Sequence, residues 1–352
     1  MARHVTDSSL SDAFAARLAD CCPPSTVRSI EQGESSTRLW SALEQSGFVD
    51  ALVAEPQGGA GLSLQAVAPL WILAGRHALP VPFAETMLAR AILTELGTAP
   101  PPGPVALGRA RIDATGSLVC QAASSARTAL HLLADQDGQL RLLPITAATS
   151  EPCPFELDLR LTWRADTWQA LPTLGASPDL RQLSALVLSV QLSGAMDAVF
   201  ERTLDWANTR TQFGRPIGKF QAIQHQLALL AEEAFAARIA AQLACVPAAT
   251  ESHPTDMSPT VPATLRLDPV RIAVAKARTS EAALQVAQLA HAIHGAIGFT
   301  REFDLQLYTR RLHAWRQAAG SESGWHDILG QALICCPSPA SLDFIRAASE
   351  AP

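Results

Sequence analysis

The stretch Arg210–Gln221, RTQFGRPIGKFQ, decides the fold because it joins two long segments of helical pattern. Apolar residues recur at three- and four-residue spacing from Leu180 to Arg210 and again from Gly218 to Ala244, as in helices that pack into a core. Gly214 and Pro216 indicate that one helix ends and the next begins within the stretch. The sequence therefore predicts two consecutive bundle helices with a short connection.

The same connection carries chemically distinctive side chains. Arg210, Gln212 and Phe213 place a charge, an amide and a ring together, which suits a nucleotide, because a guanidinium pairs with phosphate and a ring packs against ribose or base. An interhelical turn in which Arg210 caps the last helical carbonyls explains the same residues without a ligand. The residues alone leave both interpretations open.

Two further helical segments follow toward the C-terminus. One runs from Val270 to Gly295 and the other begins near Glu302, so four long helices in sequence predict an antiparallel bundle over residues 179–352. Between the second and third helices, residues 246–268 are rich in Pro, Ser and Thr, and we expect an exposed loop there.

The part of the chain before the bundle divides in two. Residues 1–98 have helical periodicity, and Ser63 stands where it can cap the next helix. Ala99–Gly108 marks a boundary, because its four prolines cannot continue a helix. Strand-like runs follow, with Asp137–Gly138 as a hairpin turn, so residues 99–178 are predicted to form a small β-barrel or sheet domain. The predicted fold class is α+β, with an N-terminal helical domain, a middle β domain and a C-terminal antiparallel four-helix bundle.

Composition and charge exclude several functional classes. The 352-residue chain has a net charge of −6 and no basic cluster, so no nucleic-acid binding is expected. Apolar runs such as Ala185–Val190 are too short to span a bilayer, and the N-terminus lacks a secretory signal, so we expect a cytoplasmic protein that binds no membrane. The seven cysteines include no C-x-x-C spacing, which predicts buried thiols and no metal site.

Four stretches, in this order, resemble the acyl-CoA dehydrogenase family, and the helix–sheet–bundle order agrees with it along nearly the whole chain. They are EPQGGAGLS at 55–63, the ungapped R-x-Q-F-G-x-P-I-x-x-F-Q at 210–221, HGAIGFT at 294–300 and YTRR at 308–311. The resemblance implies a flavoprotein that oxidises an acyl-CoA thioester to the trans-enoyl-CoA. In that chemistry a carboxylate removes the α proton and FAD accepts the β hydride.

The resemblance also implies where the cofactor binds. Subunits of the family form tetramers in which each flavin lies across a dimer interface, and the R-x-Q-F-G segment reaches the flavin held mainly by the neighbouring subunit. The residues implied to contact FAD are Arg210, Gln212, Phe213, Ile217, Phe220, Gln221 and Gly295.

The catalytic carboxylate is missing from both positions that the family uses. Counting about twenty residues on from Gly298–Phe299 places Ala319 where the usual Glu stands, and alanine cannot accept a proton. The alternative position, on the first bundle helix, falls at Ser184. The flavin-binding Q-x-x-G-G segment reads AIHGA at 292–296, and the T-E-P-x-x-G-S-D segment that cradles the flavin has no counterpart between Gly97 and Arg164.

Nearby groups are weaker candidates for a displaced base. Glu322 is the nearest carboxylate to Ala319, but a first-turn Glu after Ser321 also stabilises the start of a helix. A single His in a bundle is more often structural than catalytic. Three histidines are candidates on spacing grounds alone: His291, His294 and His313.

The missing base implies a subunit that works in a heteromeric complex. Some bacterial members of the family pair two different chains, only one of which carries the base, and such complexes commonly oxidise bulky thioesters, including steroid-derived acyl-CoA. By resemblance, this chain is the base-less subunit of a heterodimer or heterotetramer with a second acyl-CoA dehydrogenase-like chain. Two alternatives stay open: a self-sufficient homo-oligomer with a relocated base, and a structural scaffold without FAD.

Overall fold

The computed structural model describes residues 2–124, 126–153, 158–247, 265–336 and 341–349. The N-terminal region is helical, as the periodicity predicts. Its helices are α1 (Ala2–Cys21), α2 (Pro24–Glu31), α3 (Thr37–Gln45), α4 (Leu64–Arg76) and α5 (Phe83–Glu95). The predicted cap of α4 is confirmed, because the Ser63 hydroxyl oxygen accepts the backbone N–H of Ala66 at 3.2 Å.

A seven-stranded sheet forms the middle of the chain, with strand order β5-β6-β2-β1-β3-β4-β7. The strands are β1 (Val105–Ile112), β2 (Leu118–Ser124), β3 (His131–Gln136), β4 (Gln139–Pro144), β5 (Thr149–Pro152), β6 (Asp158–Trp163) and β7 (Gly175–Ala176). Strands β1 and β3 run parallel and the other neighbours run antiparallel. A short helix, α6 (Ala165–Gln169), lies between β6 and β7.

The sheet confirms one local prediction and corrects another. Asp137 and Gly138 have φ values of 50° and 80° and join β3 to β4, as expected of a hairpin turn. The segment Ala99–Gly108, however, is not a boundary throughout, since β1 begins at Val105. The prolines end at Pro104, so the residues that follow can donate the backbone hydrogen bonds of a strand.

The two faces of the sheet pack into different cores because side chains alternate along each strand. Val105 and Leu107 point into the core shared with the helices, whereas Ala106 and Ala110 belong to a second cluster on the other face. The helical core also contains Leu183 from the first bundle helix. Apolar side chains therefore fill the junction between the sheet and the bundle.

The C-terminal region is a helical bundle, as predicted. Its helices are α7 (Leu180–Thr209), α8 (Gln221–Ala244), α9 (Pro269–His294), α10 (Leu305–Gln317), α11 (Glu322–Ile334) and α12 (Ser341–Ser349). Helices α7, α8 and α9 pack on one another, and α10 packs on α7 and α9. The bundle is larger than the predicted four helices, because α11 packs on α9.

Two details of the predicted bundle differ from the structure. The fourth helix begins at Leu305, not near Glu302, because Gly295–Phe299 first forms a 3-10 turn. Residues 248–264, most of the loop predicted at 246–268, lie outside the described residues. Leu265, at the end of that segment, is buried in the helical core and not exposed.

Helices α4 and α7 cross in backbone contact, which fixes the N-terminal helices on the bundle. A Cβ atom on Gly194 would lie 1.9 Å from the carbonyl oxygen of Ile72, and one on Gly75 would lie 2.0 Å from that of Gln191. Two glycines, one from each helix, therefore permit an approach that any larger residue would prevent.

The sequence predicted no membrane-spanning segment because its apolar runs are short. Helix α7 shows that this reason does not hold. Over an 18-residue window it has a mean hydropathy of 1.6 and is long and apolar enough to cross a bilayer. However, 83% of that window is buried inside the protein. The helix is therefore apolar all round in the manner of a core helix.

Candidate functional site

The connection between α7 and α8, predicted as short, is a small β-hairpin. Strands β8 (Thr211–Gln212) and β9 (Arg215–Pro216) pair antiparallel, and the Ile217 N–H donates to the Arg210 carbonyl oxygen at 2.8 Å. Phe213 and Gly214 form the tip, with φ values of 52° and 79°. Two positive φ values in succession are those of the tight turn that two-residue hairpins prefer.

Phe213 occupies an unfavourable position at the tip of this hairpin. Its φ is positive, which is uncommon for a bulky residue and costs about 1–3 kcal/mol. Its ring is 91% exposed, so packing inside this chain contributes little to offset that cost. Backbone strain that is not repaid by local packing points to a role in binding.

A groove of about 560 Å³ lies between the hairpin and the C-terminal end of α9. The structure brings six of the seven predicted cofactor-binding residues to its wall. Its lining comprises Trp206, Arg210, Gln212, Phe213, Ile217, Phe220, Ile223 and residues 292–297. The seventh predicted residue, Gln221, lies outside it and lines a separate open surface with Ala222, Gln224 and His225.

Cationic and aromatic side chains lie together at the hairpin beside the groove. The Arg210 guanidinium lies 5.8 Å from the ring of Trp206, and that of Arg215 lies 4.3 Å from the ring of Phe220. Phe213 meets Phe220 edge to face at 6.1 Å. In the described part of the chain, neither arginine forms a salt bridge. These guanidinium groups are therefore available to an anionic ligand.

His294 contributes a buried, unpartnered acceptor to the wall. Its Nδ1 donates to the Ala290 carbonyl oxygen at 2.8 Å, and its ring stacks on Trp206 with centroids 5.5 Å apart. Burial lowers the pKa of His294, which keeps the imidazole neutral at pH 7. Its Nε2 is buried and has no hydrogen-bond partner among the described residues. An orphaned acceptor beside a groove suits a ligand hydroxyl group.

The glycine-containing wall opposite the hairpin is partly preserved. Gly295 ends α9 with a φ of 69°, and a Cβ atom there would meet no atom within 4 Å. The neighbouring Ala296, which stands where the family has a second Gly, adds an exposed methyl group to the same wall. The backbone can therefore approach a ligand at Gly295, with less room at Ala296.

Sequence reasoning missed Trp206 and Ile223 in this wall. Trp206 precedes Arg210 by four residues, so both lie on the same face of the last turn of α7. Ile223 follows Phe220 by three residues at the start of α8. The helical spacing could have found both, but only once the ends of the two helices were known.

The loop between α10 and α11, where the base would stand, is packed and carries positive charge. The Arg181 Nε donates to the carbonyl oxygen of Ala319 at 3.2 Å, and its guanidinium lies 4.5 Å from the ring of Trp325. A Cβ atom on Gly320 would lie 2.8 Å from that guanidinium. Ser184, the alternative position, is half-buried on α7. Neither position offers a carboxylate.

A buried lysine holds the end of α10 just before this loop. Lys276 Nζ donates to the Ser280 hydroxyl at 2.8 Å and to the carbonyl oxygens of Trp315 and Arg316 at 3.1 and 2.9 Å. Burial lowers the pKa of Lys276 to about 7, while the nearby Glu322 acts in the opposite direction. These bonds satisfy carbonyls that the helix end leaves free.

Among the weaker base candidates, Glu322 and His291 have structural partners. Glu322 starts α11 and pairs with Arg316 at 2.5 Å, which matches the helix-start interpretation. His291 stacks on Phe299 at 4.2 Å, and His313 is half-buried on α10. Burial lowers the pKa of both histidines.

The remaining motifs organise the fold. In EPQGGAGLS, a Cβ atom on Gly59 would lie 2.1 Å from the Val53 carbonyl oxygen, so the tight loop requires glycine there. In YTRR, Arg310 and Arg311 both pair with Glu31 of α2, which ties the N-terminal helices to α10. These two stretches therefore position the site and do not line its groove.

Comparisons with known proteins agree with this geometry. The family profile described as "Acyl-CoA dehydrogenase, C-terminal domain" matches residues 182–334. The chain is 30% identical, over 313 residues, to the acyl-CoA dehydrogenase IpdE2 of Mycobacterium tuberculosis, covering 88% of this chain and 91% of that protein. The chain belongs to the acyl-CoA dehydrogenase family.

Solved structures of acyl-CoA dehydrogenases share the fold. A chain of the ChsE4–ChsE5 complex from Mycobacterium tuberculosis superposes with a TM-score of 0.76 at 19% identity, covering 94% of this chain and 98% of that one. A chain of a Tcur3481–Tcur3483 steroid ACAD variant gives the same TM-score and coverage at 22% identity. The α+β architecture predicted from the sequence is confirmed.

Proposed function

We propose that this chain is the base-less subunit of a heteromeric, FAD-dependent acyl-CoA dehydrogenase, working in the cytoplasm on a bulky acyl-CoA thioester. One observation carries the proposal. The groove at Arg210 and Phe213 is open and offers unpaired binding groups, whereas the loop at Ala319 is packed and has no carboxylate. The chain thus retains one half of a shared flavin site and lacks the acid–base group.

The groove fits the parts of FAD that such a half-site contacts. The Arg210 guanidinium suits the pyrophosphate, and Gln212 and the free Nε2 of His294 suit ribityl or ribose hydroxyl groups. The exposed ring of Phe213 and the indole of Trp206 offer flat apolar surface to a ring system. When bound, FAD accepts the hydride released by acyl-CoA oxidation.

The packed junction of sheet and bundle argues that the flavin ring lies mainly in a partner. Leu107 of β1 and Leu183 of α7 share one continuous core, so apolar side chains fill the junction between the sheet and the bundle. With neither the cradling sequence nor an open junction, this chain depends on a second acyl-CoA dehydrogenase-like chain for the rest of the site. That partner also supplies the carboxylate that removes the α proton.

The nature of the complex and substrate is suggested by the relatives. The structures with similar folds include the ChsE4–ChsE5 complex and a steroid ACAD of two named components. A heteromeric complex for a steroid-derived acyl-CoA is the form of this proposal that such neighbours favour. The bulk of such a substrate is accommodated when only one of two paired chains holds a complete site.

The test compares the chain alone with the chain in complex. The full-length chain is purified alone and together with the acyl-CoA dehydrogenase chain that copurifies with it from its native host, and flavin absorbance is measured per chain. We expect little FAD in the chain alone and one FAD per pair of chains in the complex. Purified chain that binds FAD stoichiometrically and oxidises acyl-CoA unaided would overturn the proposal.

Substitution of Glu322 separates the proposal from a relocated base. Because Glu322 pairs with Arg316, Glu322→Gln in this chain should leave turnover of the complex unchanged within about twofold and lower only stability. Loss of turnover by orders of magnitude would favour the self-sufficient enzyme. A complex that turns over without flavin absorbance would favour the scaffold.

A further inference from the structure

Two histidines support the turn that forms one wall of the groove. His291 and His294 lie one turn apart on α9, and residues 295–297 of the turn that follows line the groove. A Cβ atom on Gly298 would lie 3.0 Å from Cβ of His294 and 3.2 Å from Nδ1 of His291, so the turn packs directly on both side chains. His291 and His294 together form what we term the histidine platform.

Each ring of the platform buries a nitrogen that has no hydrogen-bond partner among the described residues. These atoms are Nδ1 of His291 and Nε2 of His294. The Ala290 carbonyl oxygen can only accept, so Nδ1 of His294 carries the proton of the neutral ring and Nε2 is bare. A second proton would have to enter at the buried Nε2, where it would leave an N–H group without an acceptor. The packed turn therefore disfavours protonation.

Neither α7 nor the turn brings a negative charge to the platform. The His294 ring stacks on Trp206 of α7, and the charged group beside that indole is the Arg210 guanidinium, 5.8 Å from it. The His291 ring stacks on Phe299, and residues 295–299 include no charged side chain. Among the described residues, neither platform histidine forms a salt bridge. Aromatic rings and a cation therefore surround the two imidazoles.

The other neighbouring elements do not supply a buried carboxylate. Their charged and titratable residues are His225 of α8, Arg301, Glu302 and Asp304 of the connection to α10, and His313 and Arg316 of α10. Asp304 is already in a salt bridge, and His225, Arg301 and Glu302 are exposed. Burial, and after it the charge of Arg316, lowers the pKa of His313. Positive charge added to the platform would therefore stay uncompensated inside the fold.

The direction of the pH response follows from burial. Burial lowers the pKa of both platform histidines, and charge on His294 and His313 lowers that of His291 further. The packed turn therefore binds fewer protons than an open turn in which water solvates the imidazoles. Its stability is complete above the ordinary His pKa of about 6.5 and is lost as the pH falls through the lowered values.

We infer that the histidine platform makes the groove sensitive to acid: proton uptake by His291 or His294 opens the turn Gly295–Phe299 and weakens the binding of the ligand that this wall contacts. The identity of that ligand as FAD rests on the proposed function, whereas the opening of the turn does not. Because residues 295–297 form the wall opposite the hairpin, a turn that opens leaves the ligand in contact with the hairpin alone.

Hydrogen exchange of the full-length chain alone tests the opening without flavin or a partner. Exchange of the turn amides is followed by mass spectrometry from about pH 8 to about pH 5 and is divided by the intrinsic exchange rate at each pH. Below the ordinary His pKa of about 6.5, the corrected rate should rise about tenfold per pH unit for each proton taken up. A corrected rate that does not change over this range would overturn the proposal.

Substitutions assign the acid response to the platform. His294→Gln and His291→Gln each replace a titrating ring with a neutral amide, and the second leaves the groove lining intact. Each should reduce the pH dependence of exchange by about tenfold per pH unit. His77→Gln is the matched control, because burial also lowers the pKa of His77, but this residue caps the end of α4 and does not line the groove. An acid response that survives both platform substitutions, or that His77→Gln also removes, would refute the proposal.

FAD titration of the deflavinated complex links the opening to the ligand. The wild-type complex should lose FAD affinity below about pH 6.5, by up to about tenfold per pH unit for each proton. His291→Gln should match the wild type at about pH 8 and retain more affinity in acid. Arg210→Ala should instead weaken binding at every pH and leave the slope unchanged.

Two outcomes of the titration separate this inference from the proposed function. A FAD affinity that is constant, or that rises as the pH falls, would overturn the coupling of the platform to the ligand. A complex that binds no FAD, in a chain whose turn still opens in acid through the platform, would reject the proposed function and uphold the acid-sensitive turn.

Discussion

The hairpin after α7 and the loop after α10 each contain a strained non-glycine residue, but one residue is exposed and the other is packed. Phe213 and Ala319 both have positive φ, 52° and 60°, in residues that are not glycine. Arg181 bonds to the carbonyl of Ala319 and stacks on Trp325, so the strain there is offset within the chain. Phe213 has no comparable packing and exposes its ring. The comparison teaches that strain without local compensation marks a surface for a ligand, and compensated strain marks a locked loop.

Two arginine substitutions test this contrast most strongly. Arg210→Ala in the complex should weaken FAD binding by about 10- to 100-fold, because a hydrogen bond to a charged group contributes about 1.5–3 kcal/mol. FAD titration of the deflavinated complex measures it. Arg181→Ala is the matched control: it removes the same kind of side chain from the start of α7, where it bonds the loop between α10 and α11, and should lower the melting temperature without changing FAD affinity. Equal losses of FAD affinity in both variants would contradict the distinction between a ligand-binding hairpin and a purely structural loop.

The loop at Ala319 should resist conversion into a catalytic site. Ala319→Glu forces a longer side chain into a half-buried site and should cost about 1–3 kcal/mol of stability. The Arg181 guanidinium would hold the new carboxylate in its charged form and keep its pKa low, so no acyl-CoA oxidation by this chain should appear in a dye-reduction assay. Ala319→Gln, of equal size, should destabilise similarly. Turnover from the Glu variant would show that a working site survives there.

The buried contact between α5 and β1 should make the stability of the protein depend on pH. Burial raises the pKa of Glu85 to about 8, and its Oε2 accepts the Leu107 N–H at 3.4 Å. The folded state therefore binds more protons than the unfolded state between the ordinary pKa of Glu and pH 8. Stability contributed by this group falls as pH rises through that window, by up to about 1.4 kcal/mol per pH unit.

Replacing Glu85 isolates its contribution to the pH dependence of stability. Glu85→Gln keeps an oxygen acceptor for Leu107 without a titrating proton, so urea unfolding at several pH values should lose this part of the slope between pH 5 and 8. Glu95→Gln, an exposed position on the same helix, should leave the slope unchanged. The Glu85 substitution should leave the FAD affinity of the complex unchanged. An unaltered slope would mean that Glu85 does not titrate in this range.

Local sequence signals predicted those features that depend on neighbouring residues. The bounds of α7 and the cap at Ser63 follow from periodicity and from a hydroxyl in the right place. The Arg210 motif located the groove because its residues are consecutive in the chain. The hairpin itself was not predicted. Gly214 and Pro216 indicated only the end of one helix and the start of the next, and a bulky Phe213 is not expected at positive φ.

Features made by distant residues could not be read from the chain. The bond that closes the loop at Ala319 comes from Arg181, 138 residues earlier. Sequence showed that the carboxylate is missing but not that a guanidinium packs against the position. The orphaned Nε2 of His294 likewise depends on how α9 meets α7 through Trp206.

The smallest expected effect is the most diagnostic, because it moves stability and binding in opposite directions. Phe213→Gly relieves the positive φ and should raise the free energy of unfolding by up to about 1 kcal/mol, since the ring contributes little packing within the chain. The same substitution removes the ring from the groove and should weaken FAD binding in the complex. Phe213→Ala separates the two contributions: it should weaken binding equally while leaving the strain in place.

Thermal or urea unfolding of the isolated chain and FAD titration of the complex measure the two effects side by side. A ring held at the tip only for the stability of the hairpin would make both Phe213 variants less stable than the wild type, because its loss would remove packing against Phe220. A ring held for the ligand predicts the reverse order, with the Gly variant the most stable and both variants equally poor at binding FAD. Since no ordinary packing role yields a chain that is stabilised as it loses its ligand, this opposite response identifies strain retained for binding.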